Sequence, residues 1–402
     1  MLAGLLMVCA GLGWWKFHGL VSNGKLSSYQ GGQISGAHTA FGWNLLRQLA
    51  GKEQGNIFIS PASISLVMSM VYDGAEGETL QEMAKVLQFS GMTSEQVMNQ
   101  SRQLITGLTN GEPDVTIKIA NSVWADTRWP FQSQFMADMR TYFSAPARNA
   151  DFTNPATADQ INGWVGENTA GKISQIVNAD AIRDIKMALI NAVYFKGDWS
   201  HPFNASETEV RNFTDNLGKK KMIPMMRMER SDFIYGEDTL SQRISLPYGK
   251  TGEFRMVVVL PKLSADGLVG QLDSDSWSKW LTDMKREDGT LIMPKYKLEY
   301  EVSLADTLEK MGMPRAFSDL AEFNRMGREL KIGMVLHKTF IEVDEKGTEA
   351  AGITFVGMAP LAMGINQPPP KKFNMEVNKP FLIAIIDTKS GELLFTGLIR
   401  SI

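Results

Sequence analysis

Apolar positions recur with two distinct periods along this chain. Within residues 37–50 (AHTAFGWNLLRQLA), Phe41, Leu45 and Leu49 fall at helical spacing, which predicts a first helix. The next run, NIFISPASISLVMSMVYDGA, puts Pro61 where a first helical turn accepts it, with Ser60 a candidate cap and Gly74 a candidate stop. Further helices are predicted over 77–89, 131–142 and 156–169, the last stopped by Gly171. Strand patterns appear at 115–125 (VTIKIANSVWA), 253–260 and 291–298. Residues 186–199 (KMALINAVYFKGDW) are apolar on both parities through Phe195, the pattern of a strand covered on both faces. From Gly333 to Asp344, Val335, His337, Ile341 and Val343 share one face, and Lys338, Glu342 and Asp344 the other. Residues 381–387 and 393–399 form a closing hairpin through Lys389-Ser390-Gly391. Helices dominate the first half and strands the second, so the fold class is α+β in a single domain.

One strand pattern has no evident sheet to join. Residues 345–370 read EKGTEAAGITFVGMAPLAMGINQPPP. A charged start leads through Gly347 and Thr348 into the small residues Ala350, Ala351 and Gly352, and then into alternation. After Glu349 no charge appears until Lys371. Such a segment free in water is a strand-pairing and aggregation hazard unless its exposure serves a purpose. Pro360 and Pro368-Pro369-Pro370 keep its far end extended and unpaired.

Composition removes several function classes. The 402 residues are 44% hydrophobic and 21% charged, with a formal net charge of -3, which suits a large globular core and no dedicated nucleic-acid binder. The length alone suggests two or three domains, yet no internal linker or repeat divides it. The basic run Lys219-Lys220-Lys221 reads as a solvated turn. Cys9 is the single cysteine, so no intrachain disulfide and no cysteine-based zinc site can form. Met1 to Trp15 is uncharged and mostly apolar, with the length of a signal-peptide core but without its basic start. Leu6-Met7-Val8-Cys9 faintly resembles a lipoprotein cleavage box, with Val8 where a small residue belongs. Export or anchoring by this segment and a misassigned start codon are alternative readings. Gly166 to Lys172 fits a phosphate-binding loop until Ile173 stands where Ser or Thr should hold the metal, and it follows a helix where a strand belongs. The four histidines, His18, His38, His201 and His337, stand in no metal or triad motif, and no G-x-S-x-G elbow exists. The expectation is a protein that is no enzyme, with no metal and no cofactor.

Six segments stand in a characteristic order: NIFISPASIS with GAEGETLQEMAKVL, LINAVYFKGDWSHPF, LEKMGMPRAF, HKTFIEVDEKGTEAAG, FNMEVNKPFLIAIID and GELLFTGLI. Together they resemble the serpins, the serine-protease-inhibitor superfamily, from about Ala37 to Ile402. The resemblance is to the inhibitory type, with a prokaryotic source expected. It implies a large central β-sheet with further sheets, about nine helices and an exposed reactive-centre loop at about 345–370. Residues 35–402 would form one serpin domain, preceded by an apolar segment and linker over 1–34. Counting the hinge glutamate Glu345 as one, the family's scissile residue is the seventeenth, Leu361, followed by Ala362. Met358 and Met363 are secondary candidates, because the stretch from Ala362 to Pro370 is long for the family. A leucine resembles bait for chymotrypsin-, elastase- or subtilisin-like serine proteases, whereas trypsin-like enzymes require a cation.

The implied mechanism is that of a suicide substrate whose cleaved loop inserts into the central sheet and traps the acyl-enzyme. Insertion demands a core-facing parity of Thr348, Ala350, Gly352, Thr354, Val356 and Met358, none of them charged, with Glu349 outward. The implied hinge is Glu345, Gly347, Thr348, Glu349, Ala350, Ala351 and Gly352. Ser60, Ser63, Asn191 and His337 match the family's shutter, a buried polar cluster beneath the sheet; taken alone, His337 reads as a satisfied core histidine. Lys295, Trp199 and Glu345 match its breach at the top of the sheet; taken alone, the first and last make a surface salt bridge. Implied partners are serine proteases in a covalent complex, with cysteine proteases as further targets and no nucleic acid. The protein would be a monomer at risk of loop-sheet polymers, located outside the cell, in a periplasm or on the cell surface. A noninhibitory serpin with a binding or chaperone-like role is the alternative.

Overall fold

The computed structural model describes residues 32–109, 111–348 and 372–402. Two sheets organise them. The larger has nine strands, with Ser241–Pro247, Phe254–Pro261 and the terminal hairpin Phe381–Asp387/Glu392–Ile399 in its middle. The smaller runs in the order Tyr296–Ser303, Met334–Val343, Gly347–Thr348, Met187–Asp198, Val115–Asp126, Ala147–Ala150. Ten α-helices pack around them among the described residues, against the roughly nine expected.

Met187–Asp198 explains its own sequence. Its first nine residues are buried because helices lie over both faces of the smaller sheet. Pro61–Gly74, buried along its whole length, packs on the inner face as part of the main core. Ala156–Asn168 lies on the outer face, where Ile161 and Val165 meet Ala188, Ile190, Ala192 and Leu336 in a second, smaller core. Tyr296–Ser303, at the sheet's edge, instead alternates, with Tyr296 and Tyr300 buried and Lys297, Glu299 and Glu301 exposed.

Local signals placed most of these elements. Ser60 caps Pro61–Gly74 by accepting the Ser63 N–H at 3.3 Å, and Pro61 occupies the first turn. Gly171 adopts the left-handed φ of +74° two residues past the Ala156–Asn168 helix and its Thr169 cap. Three expectations need correction. The strand at 291–298 is two strands in two sheets, Lys285–Pro294 and Tyr296–Ser303; Pro294 closes the first, and Lys295 donates its N–H to the Pro224 carbonyl as the chain crosses over. The helix at 77–89 stops at Val86, with Gln88 turning left-handed at φ +63°. Lys219 lies in a turn, but Lys220 and Lys221 open the 18-residue strand Lys220–Glu237, where both are exposed.

Candidate functional site

The site is a seam. Met334–Phe340 pairs in parallel with Ala188–Tyr194 through seven register partners, so the smaller sheet is closed along its lower length. At its top the seam is open and occupied. The chain leaves Val343, reverses, and returns as Gly347–Thr348, with Thr348 antiparallel to both Val343 and Gly197. Asp344 makes the reversal: its Oδ1 accepts the N–H groups of Lys346 (2.8 Å) and Gly347 (3.2 Å), and its own N–H donates to the Gly347 carbonyl (2.9 Å). Only glycine fits at 347. An added Cβ would sit 2.2 Å from the Gly197 carbonyl oxygen and 2.7 Å from the Asp198 Cα.

Trp199 anchors this reversal. Its backbone N–H donates to the Lys346 carbonyl (2.7 Å) and its indole Nε1–H to the Asp344 carbonyl (2.9 Å). The indole stacks on Tyr248 with ring centroids 4.5 Å apart. Tyr248 is fully buried, which pushes its phenol far above the usual tyrosine range, so it stays neutral; its hydroxyl lies 2.7 Å from Thr348 Oγ1. Thr348 thus points into the core with its one polar atom satisfied. Outside, Lys295 Nζ donates to Glu345 Oε2 (2.7 Å) and Thr208 Oγ1 to Glu345 Oε1 (2.9 Å). Partial burial pushes the Glu345 carboxyl up, but these donors outweigh it and hold the carboxyl below its ordinary value.

Lower down, a polar row crosses the seam. Asn121, Asn191 and His337 are register partners on three adjacent strands. His337 Nδ1 bonds Asn191 Oδ1 across the parallel pair, and the Asn191 amide donates to Ser63 Oγ and Asn121 Oδ1. His337 Nε2 accepts the Ser60 N–H (3.1 Å), while Ser60 Oγ donates to the Leu394 carbonyl (2.6 Å). Asn121 Nδ2 donates to the Ser63 carbonyl (3.2 Å). Both imidazole nitrogens are therefore engaged, one as donor and one as acceptor, which only the neutral ring can do. Full burial agrees, holding the His337 pKa at about 3.

The structure thus brings Ser60, Ser63, Asn191 and His337 into one cluster, and Lys295, Trp199, Glu345, Gly347 and Thr348 into another. Glu349, Ala350, Ala351, Gly352, Leu361, Ala362, Met358 and Met363 lie outside the described residues, as do Met1 to Trp15. No helix among the described residues is long and apolar enough to cross a membrane. Two members escaped the sequence reading. Asn121 signals itself only as an amide inside an otherwise apolar strand run, and Tyr248 sits in a turn sequence, SLPYGKTGE, with no periodic signal.

The family model described as "Serpin (serine protease inhibitor)" matches residues 36–402. An uncharacterized serpin-like protein of Methanosarcina mazei is 32% identical over 93% of this chain and 88% of its own length. The leukocyte elastase inhibitor of Xenopus tropicalis is 31% identical over 90% of this chain and 98% of its own. Among solved structures, the thermophilic serpin tengpin in its native state superposes with a TM-score of 0.83 at 29% identity, covering 92% of this chain and 94% of that one.

Two outcomes follow from the geometry. The unfolded chain protonates His337 near its ordinary pKa of about 6.5, and the folded one only near 3, so stability falls as pH drops through that window. Between pH 7.5 and 5 this group should cost about 2 kcal/mol, read as a lower guanidinium midpoint. His337→Gln should remove that share of the slope; an unchanged slope refutes the assignment. Gly347→Ala should destabilise the native form by about 1–3 kcal/mol through the Gly197 clash and speed proteolysis within 345–370; parental behaviour in both assays would show the close approach does not constrain the hinge.

Proposed function

The chain belongs to the serpin family, and from that premise we propose that it inhibits serine endopeptidases as a suicide substrate with Leu361-Ala362 as the attacked bond. The observation that carries this reading is Thr348, buried at the head of a seam whose lower length is still closed. An ordinary surface loop has no reason to leave its first residues wedged between two strands.

The chemistry is that of acyl transfer. The target's serine oxygen attacks the Leu361 carbonyl and loses its proton to the target's own base. The C–N bond to Ala362 breaks, that nitrogen takes the proton, and an ester joins Leu361 to the protease. Hydrolysis of this ester competes with insertion of the severed loop. Strand addition of this kind, with release of stored strain, is established for serpins.

The register at Thr348 supports a definite partner for each inserted residue. Antiparallel pairing carries each step down the loop one step down both neighbours from Val343 and Gly197. Ala350 then meets Ile341 and Phe195, Gly352 meets Thr339 and Val193, and Thr354 meets His337 and Asn191. The inward residue with a hydroxyl arrives where the polar row must be parted, and can take over its hydrogen bonds. The flanking strands accommodate the loop as far as Gly357, opposite Met334 and Ala188. One parallel pairing is exchanged for two antiparallel ones. About ten net hydrogen bonds at roughly 0.5–1.5 kcal/mol each amount to roughly 5–15 kcal/mol, comparable with the whole stability of a typical protease domain, about 5–15 kcal/mol.

A leucine at the scissile position favours chymotrypsin-, elastase- or subtilisin-like targets. The test is incubation with such a protease. The expected result is an SDS-stable complex and release of a peptide spanning 362–402; a peptide starting at Ala359 or Gly364 moves the bond to Met358 or Met363. Cleavage with no complex, in a product that melts no higher than the intact protein, favours a noninhibitory binding role and overturns the proposal. Thr348→Arg would bury an unpaired cation against Tyr248, at a cost of several kcal/mol, and should divert the reaction toward plain cleavage by on the order of tenfold or more. Complex formation at the parental yield would refute the parity argument.

A further inference from the structure

Trp199 is also a wall of a cavity of about 150 Å³. Its walls include Trp199, Phe203, Phe233 and Leu246, all buried, and it reaches solvent past the exposed His201 and Arg286. Arg255 lines it and is only 6% exposed. Three arginines are buried among the described residues. Arg243 pairs with Asp238 and Arg400 with Asp266, but Arg255 has no carboxylate partner among them. Its Nε donates to Ser245 Oγ (2.7 Å), and no acceptor among the described residues receives its terminal guanidinium nitrogens. Those nitrogens therefore face the cavity, where water or an anion can reach them.

We propose that this cavity binds a small aromatic carboxylate, its ring between Trp199, Phe203 and Phe233 and its carboxylate on the Arg255 guanidinium. Three features choose this class over others. The volume matches a single ring, since an apolar cavity of this size holds benzene. Charge selects an anion: Arg230, Arg255 and Arg286 face one acid, Asp232, which Arg230 already binds at 2.6 Å. Burial, with a smaller contribution from Arg230, brings the Arg255 pKa down to about 10. The aromatic walls select a flat apolar body over a bare anion, and a guanidinium fork matches a carboxylate in two parallel hydrogen bonds. Because Trp199 is at once a wall of the cavity and the anchor of the hinge, an occupant would lie against the residue that holds Asp344 and Lys346 in place.

The test requires no protease and so stands apart from the inhibitory reading. Isothermal titration of the intact protein at pH 7.5 would compare benzoate, benzamide and inorganic phosphate at equal ionic strength. Benzoate should saturate one site, with benzamide weaker by on the order of tenfold or more, because it offers the arginine no charge, and phosphate should not displace it. Arg255→Met should weaken benzoate by a similar factor. Absence of a saturable signal up to about 10 mM, equal binding of benzamide, or undiminished binding by Arg255→Met overturns the proposal, and so does displacement by phosphate, which would mark a simple anion site. If Arg255→Met does not fold, the benzoate–benzamide comparison on the unmodified protein decides.

Discussion

Parallel pairing between Met187–Asp198 and Met334–Val343 is the constraint on which the rest of the architecture turns. Parallel strands bond through slanted, evenly spaced contacts and are slightly weaker per residue than antiparallel ones. Here both members are central, so the weak join lies in the middle of the sheet. A strand running the opposite way between them would convert the join into two antiparallel pairings. Gly347–Thr348 already runs that way at the top. Under the proposed inhibitory reading, the residues that follow Thr348 would extend this strand down the join.

What keeps the seam shut is chemically distinct from what shuts most cores. Interdigitated apolar side chains resist separation through a dense contact network. Across this seam, beneath Ser60 and Ser63, the contact is a line of amides and a neutral imidazole, each member bonded to the next. Such a row is costly to leave broken but tolerant of exchange, since a hydroxyl arriving between His337 and Asn191 can replace what it interrupts. The outer face is closed differently, by Ile161 and Val165 of the Ala156–Asn168 helix resting on Ala188, Ile190 and Leu336. Any strand entering the seam must pass beneath that helix, so the smaller core contributes to the barrier while the polar row sets where the sheet can part.

Much of this was legible in residue pattern, and what was not has physical reasons. Double-sided burial of Met187–Asp198 shows as apolar residues on both parities, and the Ser60-Pro61 cap shows as local chemistry. The junction at Pro294-Lys295 did not show, because apolar residues continue on both sides of the point where the chain changes sheets. Asn121 was missed because its role depends on register with Asn191, a relation set by pairing across the sheet. Tyr248 and Arg255 were missed for a similar reason: one lies in a turn and the other in a strand, and their significance comes from what surrounds them in space. Motif order marks the seam, whereas the residues packed behind it are brought together only by the fold.

Trp199 joins the two halves of this picture. One side of its indole is stacked on Tyr248, whose hydroxyl meets Thr348, and its N–H groups hold the reversal at Asp344–Lys346. Another side forms the cavity above Arg255. The external Lys295–Glu345 pair, half in solvent, adds about 0–1 kcal/mol, too little to decide the hinge's position. The buried contacts decide it: no side chain fits at 347, Thr348 is matched to a phenol that burial keeps neutral, and the tryptophan backing both cannot shift without disturbing them. The position of Gly347–Thr348 is therefore set mainly from the core side of the sheet, and Trp199 connects the cavity wall to it.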